Sequence, residues 1–92
     1  MKSIIQTDPK CFLCQQAIGT QTHHIFGGPN RGHSEQDGLT VRLCAKCHDD
    51  VHFSPTMSGP LMKALHRLGQ TQYEATGHTR EEFMERYGKN YL

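Results

Sequence analysis

The chain has 92 residues, an apolar fraction of 35% and no Trp, enough for one small domain whose core needs help from a metal or a similar cross-link. A formal charge of +1 is not the basic excess common in domains that coat nucleic acid non-specifically. No apolar run approaches membrane-spanning length and no secretory leader pattern is visible, so a cytoplasmic location without membrane association is expected, where paired cysteines favour metal over disulfides.

Residues 1–10 read as an irregular lead-in that ends in the turn Asp8-Pro9-Lys10 and presents Cys11. Cys11-Phe12-Leu13-Cys14 then has the spacing of a tight metal-binding knuckle. Gln21 to Phe26 is a short strand candidate, and residues 27–38 are dense in Gly, Pro, Asn, Asp and Ser, which predicts loop. Leu39-Thr40-Val41-Arg42-Leu43 alternates apolar and polar as a half-buried strand does. A helix is expected to open near Cys44 and to stop at about Phe53, ahead of Pro55. Strand, loop, strand and helix together make a ββα unit.

The rest of the chain reads as helical. Ser58 is a candidate N-cap for a helix carrying Leu61, Met62, Leu65, Leu68 and Tyr73 on one stripe, which runs through Gly69 and stops at Gly77. Thr79 and Glu82 form a capping box ahead of Phe83, Met84 and Tyr87, with Gly88 as the terminator. The expected organisation is one α+β domain over 1–92, with a metal-stapled ββα motif at 11–53 and a helical extension at 54–92.

The chemistry is concentrated between Cys11 and His52. A second knuckle, Cys44-Ala45-Lys46-Cys47, complements the first, and four thiols in two such pairs suit one closed tetrahedral zinc site. A redox-sensing use of the thiols is the competing reading, but such motifs usually come singly. The histidines are then surplus. His48 and His52 lie four apart on the expected helix and share a face. His23-His24 ends the first strand, where one ring can complete a metal site and the other stay free as a general base. A three-imidazole site with open positions suits metal-assisted phosphodiester hydrolysis. Adjacent strand residues face opposite sides, so both rings reach one site only if the strand bends or ends there. His33, His66 and His78 are expected to be ordinary packing or surface residues.

Cys11-x2-Cys14, His23-His24-Ile25, a Gly-rich loop and Leu43-Cys44-x2-Cys47-His48-x3-His52 together resemble the HNH endonucleases, also called His-Me finger or ββα-metal nucleases, of the zinc-stapled kind common in phages and prophages. The resemblance covers residues 11–52. It implies that His24 is the general base, and that His23, His48 and His52 ligate a catalytic divalent ion (Mg²⁺, Mn²⁺, Ni²⁺ or Zn²⁺). It further implies that Cys11, Cys14, Cys44 and Cys47 hold structural Zn²⁺ and that the substrate is DNA, nicked or cleaved. Gly38-Leu39 stands where many members carry a middle Asn, with Asp37 and Asn30 the nearby candidates for its part. Arg31, Arg42 and Lys46 are candidate phosphate contacts. Residues 54–92 are left for dimerisation, for clamping DNA or for binding a phage or host protein. The alternative is a non-catalytic zinc module that binds nucleic acid or protein, which would need the cysteines but not the histidines.

Overall fold

The computed structural model describes residues 2–92. Its centre is a two-stranded antiparallel sheet, β1 (Thr20–His24) against β2 (Thr40–Cys44), in a register that sets His23 opposite Val41 and His24 opposite Thr40. Helix α2 (Ala45–Phe53) follows β2 directly. The result is a small α+β fold with a ββα-like element.

Both strands differ slightly from the sequence expectation, for physical reasons. β1 stops at His24 because the next rung is only half made: Ile25 N–H still donates to Leu39 O at 3.1 Å but receives nothing back from the Leu39 N–H. Ile25 and Phe26 instead fill the core, where they are almost wholly buried. β2 starts one residue late because the Leu39 N–H is still committed to Ser34 O, at 2.9 Å. The larger difference lies between the strands. Residues expected to form loop instead make a 3-10 turn (Gly28–Asn30) and a short helix, α1 (Arg31–Gln36). Pro29 is tolerated in a first turn, where its missing N–H would have no partner. Buried Ser34 closes the segment, donating its hydroxyl to Leu39 O at 2.6 Å and accepting from Phe26 N at 3.3 Å. Gly38 then turns the chain at φ +71°, and a Cβ there would sit 2.6 Å from Lys2 O. Only glycine meets both demands.

The second half is helical as expected. α3 spans Ser58–Ala75, passing through Gly69, and α4 spans Arg80–Tyr87. Both halves of the Thr79–Glu82 capping box are formed, and Gly88 ends α4 at φ +85°. Ser58 is not the N-cap. Met57 holds that position, and the Ser58 hydroxyl donates to Val51 O at 2.6 Å, fastening α3 to α2. These helices are part of the core rather than an appendage. Phe26 lies 5.4 Å from Phe83, 4.6 Å from Tyr87 and 5.3 Å from Tyr91 between ring centroids. Fully buried Gln70 accepts from Tyr91 N and donates to Asn90 Oδ1, so the last residues are latched onto α3. Among the described residues no helix is long and apolar enough to cross a membrane.

Candidate functional site

The four cysteines converge. Cys11 and Cys14 lie on the turn that follows Pro9; Cys44 ends β2, and Cys47 lies in the first turn of α2. The Phe12 N–H donates to Arg42 O at 2.7 Å and ties the first knuckle to β2. In each knuckle a backbone N–H points at the leading sulfur, Cys14 N to Cys11 Sγ and Cys47 N to Cys44 Sγ. All four sulfurs lie within 4.8 Å of one another. Cys14 Sγ and Cys44 Sγ are 3.6 Å apart, far from a disulfide and close to the edge of about 3.8 Å that a tetrahedron with Zn–S bonds of about 2.3 Å requires. Burial pushes the Cys11 thiol up, but the N–H groups of Cys14, Cys44 and Leu13 outweigh it and hold this thiol at about 6. Among the four it is Cys11 that most favours the thiolate, the form that binds metal, while burial and the neighbouring thiols push Cys47 up. The cluster fits structural zinc.

A second cluster lies further along α2. His48 and His52 project a turn apart, with their Nε2 atoms 3.1 Å from each other. The His23 side chain leaves β1 on the face turned towards α2, and its ring centroid lies 5.5 Å from that of His48 and 5.4 Å from that of His52. One nitrogen from each ring falls within 4.8 Å of the others. Metal–nitrogen bonds of about 2.0–2.1 Å place neighbouring ligand nitrogens about 2.9–3.4 Å apart, so the His48–His52 spacing already suits a shared ion. His23 supplies an independent sign. Only 5% of it is exposed, and its buried Nε2 has no hydrogen-bond partner, a state that ordinarily costs about 1–3 kcal/mol. Burial, with help from His48 and His52, pushes its pKa down to about 4, so at neutral pH the ring is uncharged and can offer a lone pair. A divalent ion is the partner that this donor set fits.

His24 is not part of that cluster. It lies on the opposite face of β1, as strand alternation requires, and its Nε2 is 2.8 Å from Glu35 Oε2 on α1. The hydrogen bond from His24 holds the Glu35 carboxyl below its ordinary range. Beside the pair runs an open groove of about 530 Å³ lined by Thr22, His24, Arg31, Gly32 and Glu35. It shares Thr22 and Glu35 with a second hollow of about 480 Å³ between the N-terminal segment and β2.

No protein-family model matches this chain, and no curated protein or solved structure matches it. Its chemistry therefore rests on the geometry just described.

The three candidate phosphate contacts are placed differently. Arg31 is exposed and lines the groove beside His24. The Arg42 guanidinium is already engaged, donating to Thr20 Oγ1 at 2.9 Å, Thr20 O at 2.6 Å and Thr22 Oγ1 at 3.3 Å. Lys46 is paired with Asp50 at 3.3 Å one turn along α2. The remaining histidines pack against rings, His33 on Tyr87, His66 on Phe26 and Tyr91, and His78 on Tyr73. Sequence reasoning missed Glu35 and the contacts that fix its helix. Asp37 accepts from Arg86 Nε at 2.7 Å and from the Tyr87 hydroxyl at 2.6 Å, and Asn30 donates to Tyr87 O at 3.0 Å. Both residues in question at the missing middle Asn thus bind the loop to α4. The only signal in sequence was their closeness to Gly38; nothing local pointed to a partner 50 residues away.

Proposed function

We propose that this protein is a metal-dependent endonuclease of the HNH type that hydrolyses phosphodiester bonds in DNA. The observation that carries this reading is the division of the two adjacent histidines. His23 turns a partnerless, uncharged nitrogen towards His48 and His52, while His24 turns away to a carboxylate beside an open groove. A closed structural module needs neither arrangement.

A divalent ion held by His23, His48 and His52 would polarise the scissile phosphate and neutralise charge on the leaving oxygen. β1 ends at His24, so the DNA backbone would have to cross that strand end. One phosphate could then meet the ion on one face while His24, on the other, takes a proton from the attacking water through a ring nitrogen. The oxygen–phosphorus bond forms as the bond to the 3′ oxygen breaks, leaving a 5′-phosphate and a 3′-hydroxyl once the leaving oxygen has gained a proton from solvent. Arg31, on the groove wall, is the cation best placed to meet a phosphate there; Arg42 and Lys46 would first have to give up their present partners. The cysteine cluster, filled with zinc, would hold β2 and α2 in place and so set the three ligands in register.

Supercoiled-plasmid nicking in Mg²⁺, Mn²⁺ or Ni²⁺, combined with metal analysis, tests the proposal. His24→Ala should keep its fold and zinc and lose cleavage by at least about a hundredfold. Undiminished nicking by folded His24→Ala would refute it.

A further inference from the structure

We infer that Glu35 is a positioning residue for His24, fixing the ring so that Nδ1 is the nitrogen that takes the proton from water. The inference rests on the nuclease reading above and adds to it a residue that the family resemblance does not supply.

Hydrogen-bond roles fix which ring nitrogen is basic. An ionised carboxylate can only accept, so at 2.8 Å from Glu35 Oε2 the His24 Nε2 must carry the hydrogen. Neutral imidazole has one N–H and one lone pair, which leaves Nδ1 as the basic atom. Among the described residues the ring makes no other hydrogen bond, so none of them takes up that lone pair. The same logic operates wherever a carboxylate orients a catalytic imidazole.

An exposed carboxylate on a loose loop could not perform this task, because an isolated surface pair is weak. Glu35 is half exposed, but its helix is held from several sides. Ser34 fastens it to Leu39 O and Phe26 N, Asp37 to Arg86 and Tyr87, and Asn30 to the Tyr87 carbonyl. Every anchor lies within five residues of Glu35, and two of them end on α4. The C-terminal helix thereby acquires a purpose at the site: it holds the segment that aims the base. Arg31 stands one turn before Glu35 on the same helix and lines the same groove, so one short element presents both the carboxylate and a phosphate-binding cation.

A double-mutant cycle on the full chain decides the matter, with nicking of supercoiled plasmid as the assay. Glu35→Ala should lower kcat roughly tenfold to a hundredfold, with KM changed less than about twofold and zinc content unchanged. Glu35→Gln, whose side-chain oxygen still accepts from Nε2–H, should recover most of that loss. In the His24→Ala background, Glu35→Ala should cause no further loss, since a residue that acts only through His24 has nothing left to act on. In ¹H–¹⁵N spectra of the imidazoles, the hydrogen-bonded Nε2–H of His24 should be visible in the wild type and lost in Glu35→Ala. A Glu35→Ala enzyme as fast as wild type, or a loss that adds in full to that of His24→Ala, overturns the inference while leaving the nuclease reading intact. Wild-type rates in His24→Ala alone would overturn both.

Discussion

The contact between α4 and the α1 segment makes a stability prediction that can be worked through for Tyr87→Phe. The Tyr87 hydroxyl donates to Asp37 Oδ2 at 2.6 Å, and the ring is nearly buried. A hydrogen bond to a charged group contributes about 1.5–3 kcal/mol. The lower end applies, because Arg86 Nε still donates to the same oxygen at 2.7 Å and the carboxylate is not orphaned. For a chain of 92 residues the unfolding entropy is roughly 0.2 kcal/mol/K, so a loss of about 1.5 kcal/mol lowers Tm by about 8 °C. Arg86→Ala should be worse, because the Asp37 side chain, only 17% exposed, then loses its countercharge; a drop of about 3 kcal/mol is expected. Burial and then the bond to Asp37 push the Tyr87 hydroxyl pKa up. A proton held more tightly in the folded state stabilises it below the unfolded tyrosine pKa of about 10 and ceases to do so as pH rises beyond it. The gap in Tm between wild type and Tyr87→Phe should therefore shrink above about pH 10. Thermal melts of the zinc-loaded proteins at neutral and alkaline pH test this. A Tyr87→Phe loss below about 2 °C, or a loss larger than that of Arg86→Ala, refutes the reasoning.

Three further outcomes follow from the packing and the two clusters. Cys44→Ala should fail to fold, and chelation of the wild type should unfold it in step with zinc release, because zinc binding of about 10–16 kcal/mol rivals the whole stability of a small domain; circular dichroism with a zinc-sensitive dye reads both. His48→Ala should keep its zinc and its Tm but bind Co²⁺ or Ni²⁺ at the histidine cluster at least about tenfold more weakly by calorimetry. Gly69→Ala would bring a Cβ to 2.9 Å from Ile25 Cγ2 and from Phe26 Cε2. Overpacking of about 1–3 kcal/mol should outweigh a helix-propensity gain of about 1 kcal/mol, and an unchanged or raised Tm would contradict the close approach of α3 to the core.

Much of this arrangement was legible in sequence because it is local. The paired cysteines, His48 and His52 a turn apart, the Thr79–Glu82 box and the apolar alternation of β2 each lie within a few residues, where spacing alone dictates geometry. The segment between the strands was not legible. Its Gly, Pro, Asn and Ser content describes loop, and a helix forms there only because Ser34, Asp37 and Asn30 find partners on Phe26, Leu39, Arg86 and Tyr87. Tertiary contacts overrode weak local preference. For the same reason Glu35 looked like any solvated acid until α1 set it against His24.

The cysteine cluster and the histidine cluster both draw on α2, and that sharing constrains how the protein can fail. Cys44 caps the helix, Cys47 lies in its first turn, and His48 and His52 follow on the same nine-residue element. Zinc release, by unfolding the domain, would scatter the two imidazoles, so the histidine cluster should be lost even though none of its own ligands has changed. The converse does not hold. His48 and His52 are not in the core, and His23 is anchored through β1 whether or not an ion is present. Zinc removal should therefore abolish binding at the histidines, while an empty histidine cluster should leave the cysteine site intact. Titrating Co²⁺ into zinc-loaded wild type and into Cys44→Ala would expose that asymmetry, and equal affinity of the histidine cluster in both would show that the two sites do not communicate through α2.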